Sequence, residues 1–330
     1  MKLRTVSTIA LALLMMLALF GCASGEALPT NADPGSTPES EPGDDLQDSE
    51  PTVVPTEEDP EEDPEGLGNK ENGDSEMEPR LVISYVGNEK YDELFSLLNE
   101  ANINWLQTYN ESQGDVAALY AEEAILSSKN DDPVRGNQEI SEYYKSFYSD
   151  ISEIIEINIE GRLFKTTTSL FGFETGRFLT VEGEVYQYVI AWRNRSGAWL
   201  REIELVTEKT VGETDYDELD EARTKWMEIV NDDSKGAKDL IEGMYMENAY
   251  YYTTSRRLLN GWEEITVEYS YANASGFRLY VEPSITVMVQ PDLAYEIGKW
   301  RSGSNNGNYT FRWEKGHTGE WRLSFEFDSM

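Results

Sequence analysis

The segment Tyr120-Ala121-Glu122-Glu123-Ala124, followed by Gly136, Glu139-Ile140 and Tyr144, occurs twice in this chain. Its second copy is Tyr245-Met246-Glu247-Asn248-Ala249, with Gly261, Glu264-Ile265 and Tyr269 at the same offsets, 125 residues on and without a gap. A repeat of that period points to two copies of one small domain rather than a single undivided core. Each copy exceeds about 100 residues, enough to bury an apolar core of its own.

Periodicity gives the class. Across residues 88–112, Tyr91, Leu94, Leu98, Trp105 and Tyr109 fall at helical spacing, with Leu97 and Leu106 beside them. The pattern predicts a short second helix from residue 116, a strand at 124–126, a turn at Asn130-Asp131-Asp132-Pro133, a brief return strand at Val134 and a third helix over 138–148. The period then changes to two: Ile155, Ile157 and Ile159 alternate with polar residues, and strands follow at 170–181, around Tyr186 to Trp192, and at 199–206. The second copy repeats the order, with helices at 217–230, 240–245 and 263–271 and a strand at 249–253. Its sheet is read at 277–281, 285–290, 294–301, 308–315 and 320–327. Helices first and an antiparallel meander after them define an α+β class. Gly176 and Gly298 are expected at bends or bulges, and Gly136 and Gly261 where the chain enters the third helix. Tyr120 and Tyr245 are expected between helix and sheet.

The amino-terminal residues read as an address. Lys2 and Arg4 precede an apolar run from Val6 to Phe20 that ends in Leu19-Phe20-Gly21-Cys22. The run is about 15 residues, shorter than the roughly 20 that span a bilayer, and its charged start fits a secretory signal. Its end resembles a bacterial lipobox. That resemblance implies cleavage before Cys22, a diacylglycerol thioether on its sulfur, and an exported chain lipid-anchored to a bacterial membrane on the cell surface or periplasmic side. The competing readings are an ordinary signal peptide with an incidental cysteine, or an uncleaved anchor. Cys22 is the only cysteine, so no disulfide explains it. Residues 26–80 then hold 19 acidic residues against Lys70 and Arg80, a composition expected to stay extended and disordered as a tether. The expected organisation is a signal peptide at 1–21, a tether at 22–80 and domains at 81–209 and 210–330. Residues 81–330 carry 44 acidic and 23 basic residues. An anionic surface argues against nucleic acid and anionic lipid, leaving cations, neutral small molecules, glycans or basic proteins.

Strand residues of the second copy carry a family resemblance. Asp292-Leu293-Ala294-Tyr295-Glu296-Ile297-Gly298-Lys299-Trp300, then Gly307, Tyr309 and Trp313, then Gly319, Trp321 and Arg322, resemble the signature of the SnoaL-like branch of the nuclear transport factor 2-like superfamily. The first copy echoes it in Phe173-Glu174, Gly176-Arg177-Phe178, Tyr188, Trp192, Gly197 and Trp199. The resemblance implies two cones, each a mostly antiparallel sheet wrapped around a long amino-terminal helix with a pocket at the wide end. It implies no single activity, because the superfamily includes isomerases, cyclases, dehydratases and non-catalytic binding modules.

Two functional readings follow. In the first, an isomerase, cyclase or hydrolase uses a pocket carboxylate, Glu174 or Glu296, as general acid–base, with Tyr188 or Tyr309 donating to an oxyanion. Against it, the only histidine, His317, lies in the turn at 315–319, so the first copy can form no His–Asp pair. One histidine and one cysteine make no nitrogen–sulfur cluster, and no phosphate loop, Gly-x-Ser-x-Gly or dinucleotide fingerprint occurs. No metal and no cofactor are therefore expected. Glu174 and Glu296 have a plain alternative, pairing with Arg177 and Lys299 or facing water. The second and favoured reading is binding of a small molecule, glycan or envelope protein. It rests on 19 Tyr and 8 Trp, side chains that offer apolar area with a polar tip. The ligand-facing candidates are Trp105, Tyr109, Tyr188, Trp192, Trp226, Tyr250, Tyr252, Tyr309 and Trp313, each with an ordinary core role as its alternative. The family resemblance also implies dimerisation through sheets, which a short connection at 209–215 would make internal, as a pseudo-dimer.

Overall fold

In the computed structural model, the first half opens with β1 (Arg80–Ile83), a 3-10 turn at Glu89–Tyr91 and α1 (Asp92–Glu111). The buried stripe of α1 is Leu98, Asn102, Trp105, Leu106 and Tyr109, so helical spacing brings one polar residue into the core along with four apolar ones. β2 (Tyr120–Ser127) and β3 (Val134–Arg135) lead to α2 (Asn137–Ile151). Gly136 stands before that helix at φ +103°, a conformation costly for any side chain, and its N–H donates to the Ala124 carbonyl at 2.9 Å. The meander is β4 (Ile154–Phe164), β5 (Phe171–Thr180), β6 (Val185–Arg195) and β7 (Ala198–Glu208). The described residues are 79–329 apart from 130, 211, 213 and 214, and all lie in one compact unit, Asn72–Met330. Cys22, the signal segment and nearly all of the expected tether lie outside them.

The second half starts with α3 (Tyr216–Val230), capped by Asp215, whose carboxylate accepts from the N–H groups of Asp217 and Glu218. α4 (Ala237–Met244), β8 (Tyr245–Tyr252), β9 (Leu258–Asn260) and α5 (Gly261–Glu268) follow. The sheet is completed by β10 (Tyr280–Gln290), β11 (Leu293–Ser302), β12 (Asn305–Lys315) and β13 (Trp321–Ser329). The two sheets run β1-β4-β5-β6-β7-β2-β3 and β10-β11-β12-β13-β8-β9. With β1 set aside, the orders correspond position for position. β2 lies parallel on β7 and β8 parallel on β13, while each meander is antiparallel.

Three differences from the sequence reading have physical causes. Arg80–Ile83 is a strand, paired parallel to β4 from Glu156 to Ile159, so Arg80 belongs to the sheet and not to the tether. Four residues on a sheet edge carry too short a pattern to read. β10 is one strand rather than two, because its irregularity at Pro283–Ile285 is a bulge and not a break. The bulges sit not on the glycine strands but on their neighbours, at Ile159–Gly161 opposite Gly176 and at Pro283–Ile285 opposite Gly298. A Cβ on Gly176 would lie 2.5 Å from the Tyr188 hydroxyl, and one on Gly298 would lie 2.6 Å from the Tyr309 ring. Each glycine therefore makes room for the tyrosine opposite it on the next strand.

Each half has its own core. Leu98, Trp105, Ile140 and Tyr188 belong to the first; Leu219, Trp226, Ile265 and Tyr309 belong to the second. A third apolar layer lies between the sheets, joining Ile125, Phe173, Val189 and Leu205 of the first half to Tyr252, Val289, Tyr295 and Phe327 of the second. Strand alternation divides Tyr250-Tyr251-Tyr252 as expected, with Tyr250 and Tyr252 in the layer between sheets and Tyr251 in the second core.

Candidate functional site

Both candidate acid–base residues are 0% exposed, and both are held by arginines. Glu174 accepts from Asn102 Nδ2 at 2.9 and 3.0 Å, Arg162 Nε at 2.6 Å and the Tyr188 hydroxyl at 3.0 Å. Glu296 accepts from Arg223 Nε at 3.0 Å and Nη2 at 2.5 Å, from the Tyr309 hydroxyl at 2.6 Å and from Thr286 Oγ1 at 3.3 Å. The suggested partners Arg177 and Lys299 are corrected by this geometry. They follow Glu174 and Glu296 by three residues, so alternation turns them to the opposite face. Arg177 pairs instead with Glu160 at 2.7 Å.

Two further carboxylates share these interiors. Glu204 pairs with Arg201 at 2.9 Å and accepts from the Tyr120 hydroxyl; the Arg201 guanidinium lies 4.0 Å from the Trp105 ring centroid. Glu326, at the equivalent place in the second sheet, has no cation beside it. Its Oε1 and Oε2 accept from Tyr269 at 2.5 Å and Tyr245 at 2.7 Å, and the two tyrosine hydroxyl oxygens lie 3.0 Å apart. Burial pushes the Glu326 carboxyl up to about 8, with the two hydroxyls only partly offsetting it. On the same strand, burial pushes Asp328 up to about 6, against a hydrogen bond from Tyr251 at 2.7 Å.

The nine aromatic candidates are all placed in packing. None of Trp105, Tyr109, Tyr188, Trp192, Trp226, Tyr250, Tyr252, Tyr309 and Trp313 is more than 9% exposed, so none presents a face to solvent. Trp105 stacks on Tyr109 and Phe178, and Tyr309 packs on Phe311 with centroids 4.2 Å apart. Tyr250 and Tyr252 reach the first half, donating to Asp132 and to the Glu123 carbonyl. His317 is exposed in the turn between β12 and β13, as expected. Among the described residues, no group of three or more His, Cys, Asp or Glu is placed to hold a metal, and no helix is long and apolar enough to cross a membrane.

An open cavity of about 470 Å³ lies instead in the second half, beside Met227 of α3, Val281 of β10, Trp300 of β11 and Gly307 of β12. Lys165, Glu282, Lys299 and Arg301 complete its charged lining. Its size falls within the range of small-molecule sites. The register shows how the two halves differ at this place. Gly298 faces Tyr309 as Gly176 faces Tyr188, so Gly307 stands where the first half has Tyr186. Tyr186 takes the edge of Phe147 at 4.9 Å and fills that space. In the second half, Gly307 leaves it to the Trp300 indole: a Cβ there would come within 2.6 Å of Trp300 Nε1 and 1.7 Å of the Ser329 carbonyl. A second cavity, about 250 Å³ and mostly in the first half, is lined by Lys129, Tyr143, Tyr186 and Gln290; it is below that range, and Lys129 is already bound to Gln290 and Asp292. Sequence reasoning quoted Trp300 and Gly307 for their family pattern without seeing the cavity. Aligning the copies by their Gly–Tyr pairs, and noting Gly307 against Tyr186, was the signal that could have found it.

No family model matches the chain, and no curated protein matches it. Solved structures similar to it include a domain of unknown function with a cystatin-like fold from Nostoc punctiforme, 18% identical over 36% of this chain and 78% of that one, TM-score 0.30. Another is an NTF-2 like protein of unknown function from Shewanella oneidensis, 18% identical over 35% of this chain and 98% of that one, TM-score 0.31. A third is a ketosteroid isomerase-like protein from Erwinia carotovora atroseptica, 16% identical over 38% and 100%, TM-score 0.28.

Proposed function

We propose that this chain is an exported, membrane-tethered binding protein built from two nuclear transport factor 2-like domains, and that the second domain binds a small molecule in the cavity beside Trp300. Cys22 is the proposed lipid anchor and residues 22–79 the spacer. The matching strand orders of the two sheets and the strand signature around Glu296 and Gly298 support the tandem reading. The first domain is the scaffold: its interior is closed by the Glu174–Arg162 and Glu204–Arg201 pairs, and Tyr186 stands where the second has Gly307 beside the Trp300 indole.

The observation that carries the reading is the cavity's position against the filled interiors. An acid–base mechanism needs a carboxylate that a substrate can reach, and Glu174 and Glu296 are each enclosed by an arginine, a tyrosine and a second polar side chain. The aromatic and aliphatic wall at Met227, Val281 and Trp300 is accessible without moving any of them. The test is a thermal-shift screen of the full chain with neutral and charged small molecules, repeated on Met227→Trp, which fills the cavity. The reading expects at least one compound to raise the Tm of the parent and not of the variant. Stabilisation that survives in Met227→Trp, or that disappears only in Glu296→Gln, contradicts it.

A further inference from the structure

From the charges around that cavity we infer that its ligand is a carboxylate-bearing sugar, a hexuronate unit of an acidic glycan, an inference that rests on the binding reading above. The overall charge of the chain points the other way: 63 acidic residues stand against 27 basic ones. In such a chain, cations left without an acid are informative. Among the described residues every arginine but one is in an ion pair, and that one is Arg301. Lys165 and Lys299, also in the lining, are in no ion pair among the described residues. Three cations thus line one cavity against a single lining carboxylate, Glu282, which stands directly across the strands from Lys299 and leaves Lys165 and Arg301 in excess.

The comparison between halves shows how this charge arises. Lys299 corresponds to Arg177, since each follows its glycine, Gly298 or Gly176. Arg177 is neutralised by Glu160, the bulged residue of β4. The bulged residue of β10 is Ser284, and the acid stands instead at Glu282, directly across from Lys299, where the first half has Asn158 across from Arg177. Arg301 corresponds to Leu179, so a cation is added there. Its guanidinium carbon lies 4.7 Å from the Tyr280 ring centroid, a cation–π contact that orders the charge without pairing it with an acid. Lys165 comes from the first half and donates to the Asn306 carbonyl at 2.7 Å, holding its ammonium at the rim.

The remaining lining suits a sugar rather than a bare anion. The Trp300 ring and Met227 offer an apolar wall for the C–H face of a pyranose, and the exposed Asn306 amide offers a donor and an acceptor for hydroxyls. A volume of about 470 Å³ accommodates a mono- or disaccharide and exceeds what phosphate alone needs.

The experiment is isothermal calorimetry on the full chain with digalacturonate, neutral lactose and inorganic phosphate as probes, at low and at physiological salt. Digalacturonate is expected to bind, to weaken as salt rises, and to lose about tenfold or more in affinity in Arg301→Gln and Lys299→Gln. Both side chains are exposed, so these variants keep the fold. Lys235→Gln, another exposed lysine without an ion pair, is the charge control and is expected to bind as the parent does. Lactose binding as tightly as digalacturonate overturns the anionic inference but leaves the cavity reading intact if Met227→Trp abolishes it. Phosphate binding as tightly as digalacturonate replaces the sugar with a phosphate-bearing ligand. Absence of any digalacturonate binding, or equal loss in Lys235→Gln, also overturns the inference.

Discussion

Glu174 and Glu296 occupy the same place in their sheets, yet their arginines reach them from different elements. In the first half the cation comes from β4, as Arg162, and the helix supplies Asn102. In the second the helix supplies Arg223, and β10 supplies Thr286. The charge has moved across the carboxylate while the pair was retained. Removing one partner leaves an unpaired buried charge, so Arg223→Met is expected to cost about 3–5 kcal/mol in denaturant unfolding, and Arg223→Met with Glu296→Leu much less. A double variant as damaged as the single one would contradict the pairing. Glu204 and Glu326 differ more: Arg201 has become Leu323, and Tyr269 joins Tyr245, the counterpart of Tyr120, at the carboxylate in place of the cation. Glu326 loses its proton near 4.5 when unfolded and near 8 when folded. Between those values the folded chain holds a proton that the unfolded chain has lost, so this group's contribution to stability falls as pH rises through the window and levels off above it. Glu326→Gln is expected to remove that slope from a Tm-against-pH series; an unchanged slope would place the titrating group elsewhere. Alternation let the sequence separate Tyr250 and Tyr252 from Tyr251. It could not show which arginine reaches Glu174, because Arg162 approaches from another strand and no local spacing encodes that.

At the scale of elements, the repeated glycines matter through their neighbours. Gly176 and Gly298 were readable as special positions, but not as seats for the Tyr188 and Tyr309 rings, since cross-strand contact depends on register. A Cβ at Gly298 would also meet the Glu282 carbonyl at 2.4 Å, a backbone atom that cannot turn aside. Gly298→Ala is therefore expected to lower stability by about 1–3 kcal/mol, whereas Gly183→Asn, in an open turn at φ +88°, is expected to change it little. Equal effects at the two sites would refute the packing account. The helices, the class and the strand order of the meanders were legible because each rests on an uninterrupted apolar period. β1 was not: four residues against one edge of β4 make too short a signal.

For the whole molecule, the layer between the sheets decides assembly. Val289, Tyr295 and Phe327 meet Phe173, Val189 and Leu205 there, and the Tyr295 hydroxyl donates to Thr207 at 2.8 Å. If this layer is the internal equivalent of a dimer interface, the full chain should be monomeric by light scattering. Phe327→Asp should then split the thermal transition in two. The central claim is that the second half receives a ligand beside Met227 and Trp300. The most direct measurement is a titration of digalacturonate into the full chain labelled with 13C at its methionine methyl groups. Met227 borders the cavity, whereas Met244 is buried in the second core and Met288 faces it from β10. The account predicts a saturable shift of the Met227 signal with Met244 and Met288 nearly still. Binding that leaves Met227 unmoved would contradict it.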